Sequence, residues 1–182
     1  MQSCWFVMVS AILLAGPLLA ADPIILTDAQ GEYPIGLHLD LLPDPQQQYT
    51  IEAVSDPAFA GQFTPSQKEL PYLGLGVSSA WVRLTTRIHT ALTKDWVLEL
   101  RWHGYDVIEL YLADPSSPGA WTVKRSGEYL PFGQREIKHR YQAGLSPAAA
   151  AGTDPDLLYA AGHRRGHWHS NDAVVGRRLC RK

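Results

Sequence analysis

The sequence predicts an all-β protein built as an antiparallel β-sandwich, and two observations carry that expectation. The first is periodicity. Residues 80–89, 96–102 and 107–112 are runs rich in Trp, Val, Ile, Leu, Thr and Tyr, bounded by polar or Gly-containing breaks. That composition belongs to strands rather than helices. In the second run Trp96, Leu98, Leu100 and Trp102 fall on one face, with Glu99 and Arg101 on the other. In the third, Ile108, Leu110 and Leu112 oppose Glu109 and Tyr111. Alternation of this kind gives each strand one dry and one wetter face, as two packed sheets require. The second observation is spacing. The breaks at 90–95 and 103–106 are too short for a crossover helix, so these three strands are expected to be antiparallel neighbours. Trp81, Trp96, Leu98, Leu100, Ile108 and Leu110 are the expected core.

Taken in order, the chain opens with an apolar stretch from Cys4 to Ala21, broken only by Ser10 and the Gly16-Pro17 pair, before the first acid, Asp22. Residues 1–21 read as a secretory signal peptide cleaved after Ala20 or Ala21. The n-region lacks Lys and Arg, and Leu stands at position −3, so an uncleaved membrane anchor is the competing reading. Removal of the signal would leave Cys180 without a partner for an internal disulfide, so the mature fold rests on its apolar core. Residues 22–30 read as a linker, although Ile24–Leu26 is an apolar run, and the sandwich as residues 31–147. Leu37, Leu39 and Leu41 mark a brief edge strand, and residues 48–54 alternate as another. Residues 56–71 form a broken segment anchored by Phe59 and Phe63 and interrupted by three prolines. Beyond the central runs, residues 113–119 (A-D-P-S-S-P-G) are a turn. Residues 121–125 are a strand, Ser126-Gly127-Glu128 a further turn, 129–133 an apolar loop and 136–145 a last alternating strand. From residue 148 the text changes to Ala, Arg, His and Gly, with six basic against three acidic residues, whereas residues 1–147 carry a net of −5. This tail reads as disordered or off-frame.

Composition narrows the function. Sixteen basic and eighteen acidic residues leave a net charge of −2, which offers nothing to a nucleic acid. His163, His167 and His169 form H-x-x-x-H-x-H but have no nearby acidic or thiol ligand except Cys180, so no metal or cofactor is expected. Ser78-Ser79 lacks the G-x-S-x-G elbow. Glu99 and Glu109 imitate a glycosidase carboxylate pair. With Arg101 beside them, a cross-strand ion pair on a solvated face is the simpler reading. No catalytic residue is assigned. Six tryptophans are many for 182 residues; most would fill the core, and one or two would form a stacking platform.

Five segments carry a resemblance: W-V-R-L at 81–84, D-W-V-L-E-L at 95–100, D-V-I-E-L-Y-L at 106–112, S-G-E-Y-L-P-F at 126–132, and Arg135. In that succession, over about residues 31–145, the chain resembles the second extracellular domain of bacterial seven-transmembrane receptors with diverse intracellular signalling modules. The resemblance implies a periplasmic jelly-roll-like β-sandwich similar to carbohydrate-binding modules, and a ligand-binding or sensory role rather than an enzyme. No membrane or output domain is read in the sequence, so the signal peptide or a missing C-terminal membrane domain would be the only tie to a membrane. The expected partner is a small molecule or carbohydrate. By analogy with sugar-binding sandwiches the site residues would be Trp102, Tyr105, Trp121 and Arg135. A secreted carbohydrate-binding accessory module or a glycan-active enzyme fragment is the alternative.

Overall fold

The computed structural model describes residues 20–73, 77–89, 96–99, 106–114, 117, 119–134, 142–145, 156–163 and 178–181. In chain order the strands are β1 (Ile24–Thr27), β2 (Glu32–Pro34), β3 (Leu39–Pro43), β4 (Thr64–Pro65), β5 (Ser79–His89), β6 (Trp96–Glu99), β7 (Val107–Ala113), β8 (Trp121–Ser126), β9 (Gln142–Leu145), β10 (Asp156–His163) and β11 (Arg178–Arg181). Between β3 and β4 lie one short helix, α1 (Ile51–Ser55), and a 3-10 segment, Pro57–Gln62. The larger sheet runs β4-β3-β5-β10-β7-β8, with β1 paired parallel to the far half of β5. The smaller runs β2-β11-β6-β9. The architecture is all-β, as expected.

The period-two reading assigns faces correctly. Val82, Leu84, Ile108 and Leu110 of the larger sheet meet Tyr33, Trp96 and Leu98 of the smaller one in a shared buried core, with Ile24, Leu26, Ile35 and Leu39. Of the expected core residues only Leu100 lies outside the described set. Trp96 is completely buried, edge-on to Tyr33 at 5.5 Å. The Tyr33 hydroxyl accepts the Thr27 amide at 2.9 Å, which ties β2 of one sheet to β1 of the other.

Neighbours are another matter, because period two fixes a face and says nothing of a partner. β5, β6 and β7 are not hydrogen-bonded to one another; the chain changes sheet at each of the two short breaks. Glu99 and Glu109 therefore lie in different sheets, Arg101 lies outside the described residues, and Glu109 pairs with Arg125 of β8. Residues 48–54 also depart from expectation. Thr50 accepts the Ala53 amide and Asp56 the Ala58 amide, caps that set a helical turn and then the 3-10 segment. Ile51 and Val54, three apart, are the buried pair. They join Leu42, Phe63 and Trp81 in a second apolar cluster on the outer face of the larger sheet, with Phe59 packed against it.

Two further segments are strands where the sequence reading placed none. Within the segment read as a linker, β1 buries Ile24 and Leu26. In the tail, β10 pairs antiparallel with both β5 and β7, and β11 with both β2 and β6. The run D-L-L-Y-A-A-G-H shows little alternation, so periodicity carried no strand signal there.

Candidate functional site: an aromatic and acidic cleft

The outer face of the larger sheet carries the second cluster, and beside it the chain between β3 and α1 folds over to leave a cleft of about 370 Å³. Asp44 builds that fold-over. It is 1% exposed, and its amide donates to the Ser79 carbonyl at 2.9 Å. Its carboxylate accepts the Gln48 and Tyr49 amides at 3.0 and 3.2 Å, and its carbonyl accepts the Gln47 amide. Gln47 itself takes a left-handed φ of 54°, which lets the chain turn back over the sheet. Tyr49 is thereby delivered to the cleft, its ring centroid 5.0 Å from that of Phe59 in an edge-on contact.

The floor comes from strand alternation. Trp81 of β5 and Tyr111 of β7 project from the face opposite the main core, and their rings meet at 5.5 Å with a tilt of 38°. In register, β10 passes between these strands with Ala161 facing both Trp81 and Glu109 in the ladder. Glu109 accepts the Tyr111 hydroxyl at 2.8 Å and the Arg125 Nε at 2.7 Å. Burial first, and then the bond to Glu109, push the Tyr111 hydroxyl well above the usual tyrosine range. At the helix start the Thr50 hydroxyl draws Glu52 below the usual carboxylate range.

Among the described residues, Asp44, Glu52 and Glu109 line the cleft together with Tyr49, Trp81 and Tyr111, and no Lys, Arg or His does, the Asp44 carboxylate being engaged by the Gln48 and Tyr49 amides. Arg125 is bound to Glu109 from the neighbouring strand. Such a site presents aromatic faces and hydrogen-bond acceptors. It suits ligands that donate, and it opposes anions.

Of the residues expected at the site, Trp102, Tyr105 and Arg135 lie outside the described residues. Trp121 opens β8 opposite Ala113 and packs, partly buried, against the outer cluster; it is not among the residues lining the cleft. Sequence reasoning missed Tyr49, Asp44 and Glu52, which sit in a loop and a helical turn without a motif. Tyr111 and Glu109 were legible as wet-face residues.

A sandwich with these five segments in place has a counterpart among known families: the 7TMR-DISM extracellular 2 model matches residues 36–159, more than half of the chain. The chain belongs to the 7TMR-DISM extracellular 2 family. No curated protein matches it. Membership makes this an extracellular sensory module of the seven-transmembrane receptor class, and so a domain of the periplasm or cell exterior. The 7TMR-DISM match takes in β3 to β9 and the first half of β10, and so every residue of the cleft.

Proposed function

We propose that the domain is the periplasmic ligand-binding part of a bacterial signalling receptor and that its ligand sits in the Tyr49–Trp81–Tyr111 cleft. The observation that carries the reading is the lining of that cleft: the rings of Tyr49, Trp81 and Tyr111 beside the acidic residues Glu52 and Glu109, with no basic residue among the described lining. Rings stack on apolar faces of a ligand, while carboxylates accept from hydroxyl or ammonium donors. The ligand is accordingly a small sugar or an amine of similar size, and not a phosphate or dicarboxylate. The sandwich is of the jelly-roll kind used by carbohydrate-binding modules, which supports the sugar arm. The apolar residues 1–21 act as the export signal. Trp102, Tyr105 and Arg135, outside the described residues, remain candidate ligand contacts, and Trp121 packs against the apolar cluster that includes Trp81.

The test is calorimetric titration of the full chain with neutral sugars, with primary and quaternary amines, and with dicarboxylates. A sugar or an amine is expected to bind. Tyr49→Ala or Glu52→Gln should then weaken binding by about three- to tenfold, the worth of one stacked ring or one charged acceptor. Binding of a dicarboxylate, or binding indifferent to both substitutions, would overturn this assignment.

A further inference from the structure

The sequence leaves two cleavage sites open, after Ala20 or after Ala21, with Leu at position −3 in either case. The geometry points to one of them. We infer that the exported chain is cut between Ala20 and Ala21, and that the new Ala21 α-ammonium is a structural group, seated on the buried carboxylate of Asp40.

Asp40 stands in β3 opposite Arg83 of β5 and is 2% exposed. Its Oδ2 accepts both Nε and Nη2 of Arg83, at 3.0 and 2.9 Å. Oδ1 is held by the nitrogen of Ala21 at 2.8 Å. The Phe63 ring lies 4.7 Å from the Arg83 guanidinium, which fixes that side chain from the far side. A carboxylate this deeply buried needs every oxygen matched, and one left without its donor is costly. From Ala21 onward the chain is anchored: the Asp22 carbonyl takes His38 Nδ1 at 2.7 Å, and Ile24 and Leu26 enter the main core. Ala20, one residue earlier, is exposed.

The two products differ in what they leave at Oδ1. Hydrolysis of the Ala20–Ala21 bond by a signal peptidase adds one water. Its oxygen completes the Ala20 carboxylate and both of its protons end on the Ala21 nitrogen, so the amine is an ammonium at neutral pH. The donor already 2.8 Å from Oδ1 is kept and gains a charge, which strengthens it. Hydrolysis one bond later removes Ala21 and with it the donor. The peptidase acts on an unfolded chain, so the fold does not steer the cut; it reveals which product the buried carboxylate is built to receive.

This inference rests on the export reading, and two measurements separate them. The full chain is expressed with export permitted, and the intact mass of the purified protein is determined. A mass beginning at Ala21 is expected. A mass beginning at Asp22 overturns the inference and leaves the cleaved signal standing, whereas a mass beginning at Met1 overturns both the inference and the cleaved signal on which it rests. In parallel, chains starting at Ala21 and at Asp22 are released from a fusion by a site-specific protease and melted. The Asp22 chain should unfold about 2–4 °C lower, the shift that one lost buried hydrogen bond gives in a domain of this size. Introducing Asp40→Asn into both chains should erase most of that difference. Equal midpoints for the two unsubstituted chains would show that Oδ1 does not depend on Ala21.

Discussion

Trp96 pairs complete burial with an indole N–H that finds no acceptor among the described residues. Its ring therefore stabilises the core by packing, against a standing penalty for the unpaired donor. Trp96→Ala should cost about 3–5 kcal/mol. Trp96→Phe keeps the edge-on contact with Tyr33 and removes the donor, so it should cost about 2 kcal/mol or less. Urea midpoints of the two variants would decide the point, and equal losses would mean that the N–H is satisfied after all. Tyr111 gives a prediction of the opposite kind, one that depends on pH. Its hydroxyl is held protonated by burial and by Glu109, so the folded value lies above that of the unfolded chain, near 10. The contribution of this group is thus whole below about pH 10 and declines as pH rises towards the folded value. Tyr111→Phe should flatten the alkaline fall in stability and remove one late-titrating phenol from the ultraviolet titration. An unchanged alkaline limb would place the hydroxyl in water.

At the scale of elements, strands β7 and β8 and the turns after each were readable in advance, and the reason is chemical. Asp114 donates its amide to Ala120, whose amide returns to Ser117, so A-D-P-S-S-P-G encodes its own closure. After β8, Gly127 adopts φ 121°, and any Cβ there would strike the Asp106 backbone, where the Tyr129 amide also docks. Gly119 has a positive φ of 84° as well, yet open space around it. Gly119→Ala should cost about 1 kcal/mol and Gly127→Ala clearly more, since only the second adds a clash to the strain. Matching melting temperatures for the two variants would remove the clash from the account. The helix α1 was not readable, because Tyr49, Ile51 and Ala53 alternate like a strand, while the deciding signals are two caps worth about 1 kcal/mol each. That misreading also hid the cleft, since Tyr49, Thr50, Ile51 and Glu52 all enter it from this stretch. The opposite wall was legible: Glu109 and Tyr111 occupy the wet face of a strand whose alternation is plain.

For the whole molecule, what alternation could not supply was the order of strands, and β10 shows why that matters. Its eight residues pair with β5 from Ser79 to Thr86, and six of them pair at the same time with β7 from Val107 to Leu112. Without β10 the larger sheet falls into two pieces, β4-β3-β5 with β1 on one side and the β7–β8 hairpin on the other. The Trp81–Tyr111 contact spans those two pieces, so the floor of the cleft depends on the strand between them. β11 does the same work in the smaller sheet, joining β2 to β6 through registers centred on Leu179. A chain that ends at residue 146 keeps the apolar alternation from which the sandwich was inferred, and loses both central strands. The β7–β8 and β6–β9 remnants are then two-stranded with open edges, and such pairs do not persist in water and pair with other chains instead. The 22–146 fragment is therefore expected to aggregate, or to lack the near-ultraviolet dichroism of packed tryptophans, while the 22–182 chain unfolds in one cooperative step. Adding back a synthetic peptide covering residues 154–165 should restore part of the aromatic signal by strand addition between β5 and β7. A 22–146 fragment that melts cooperatively, with native aromatic dichroism and no added peptide, would show that β10 is dispensable and that the sheet closes directly from β5 to β7.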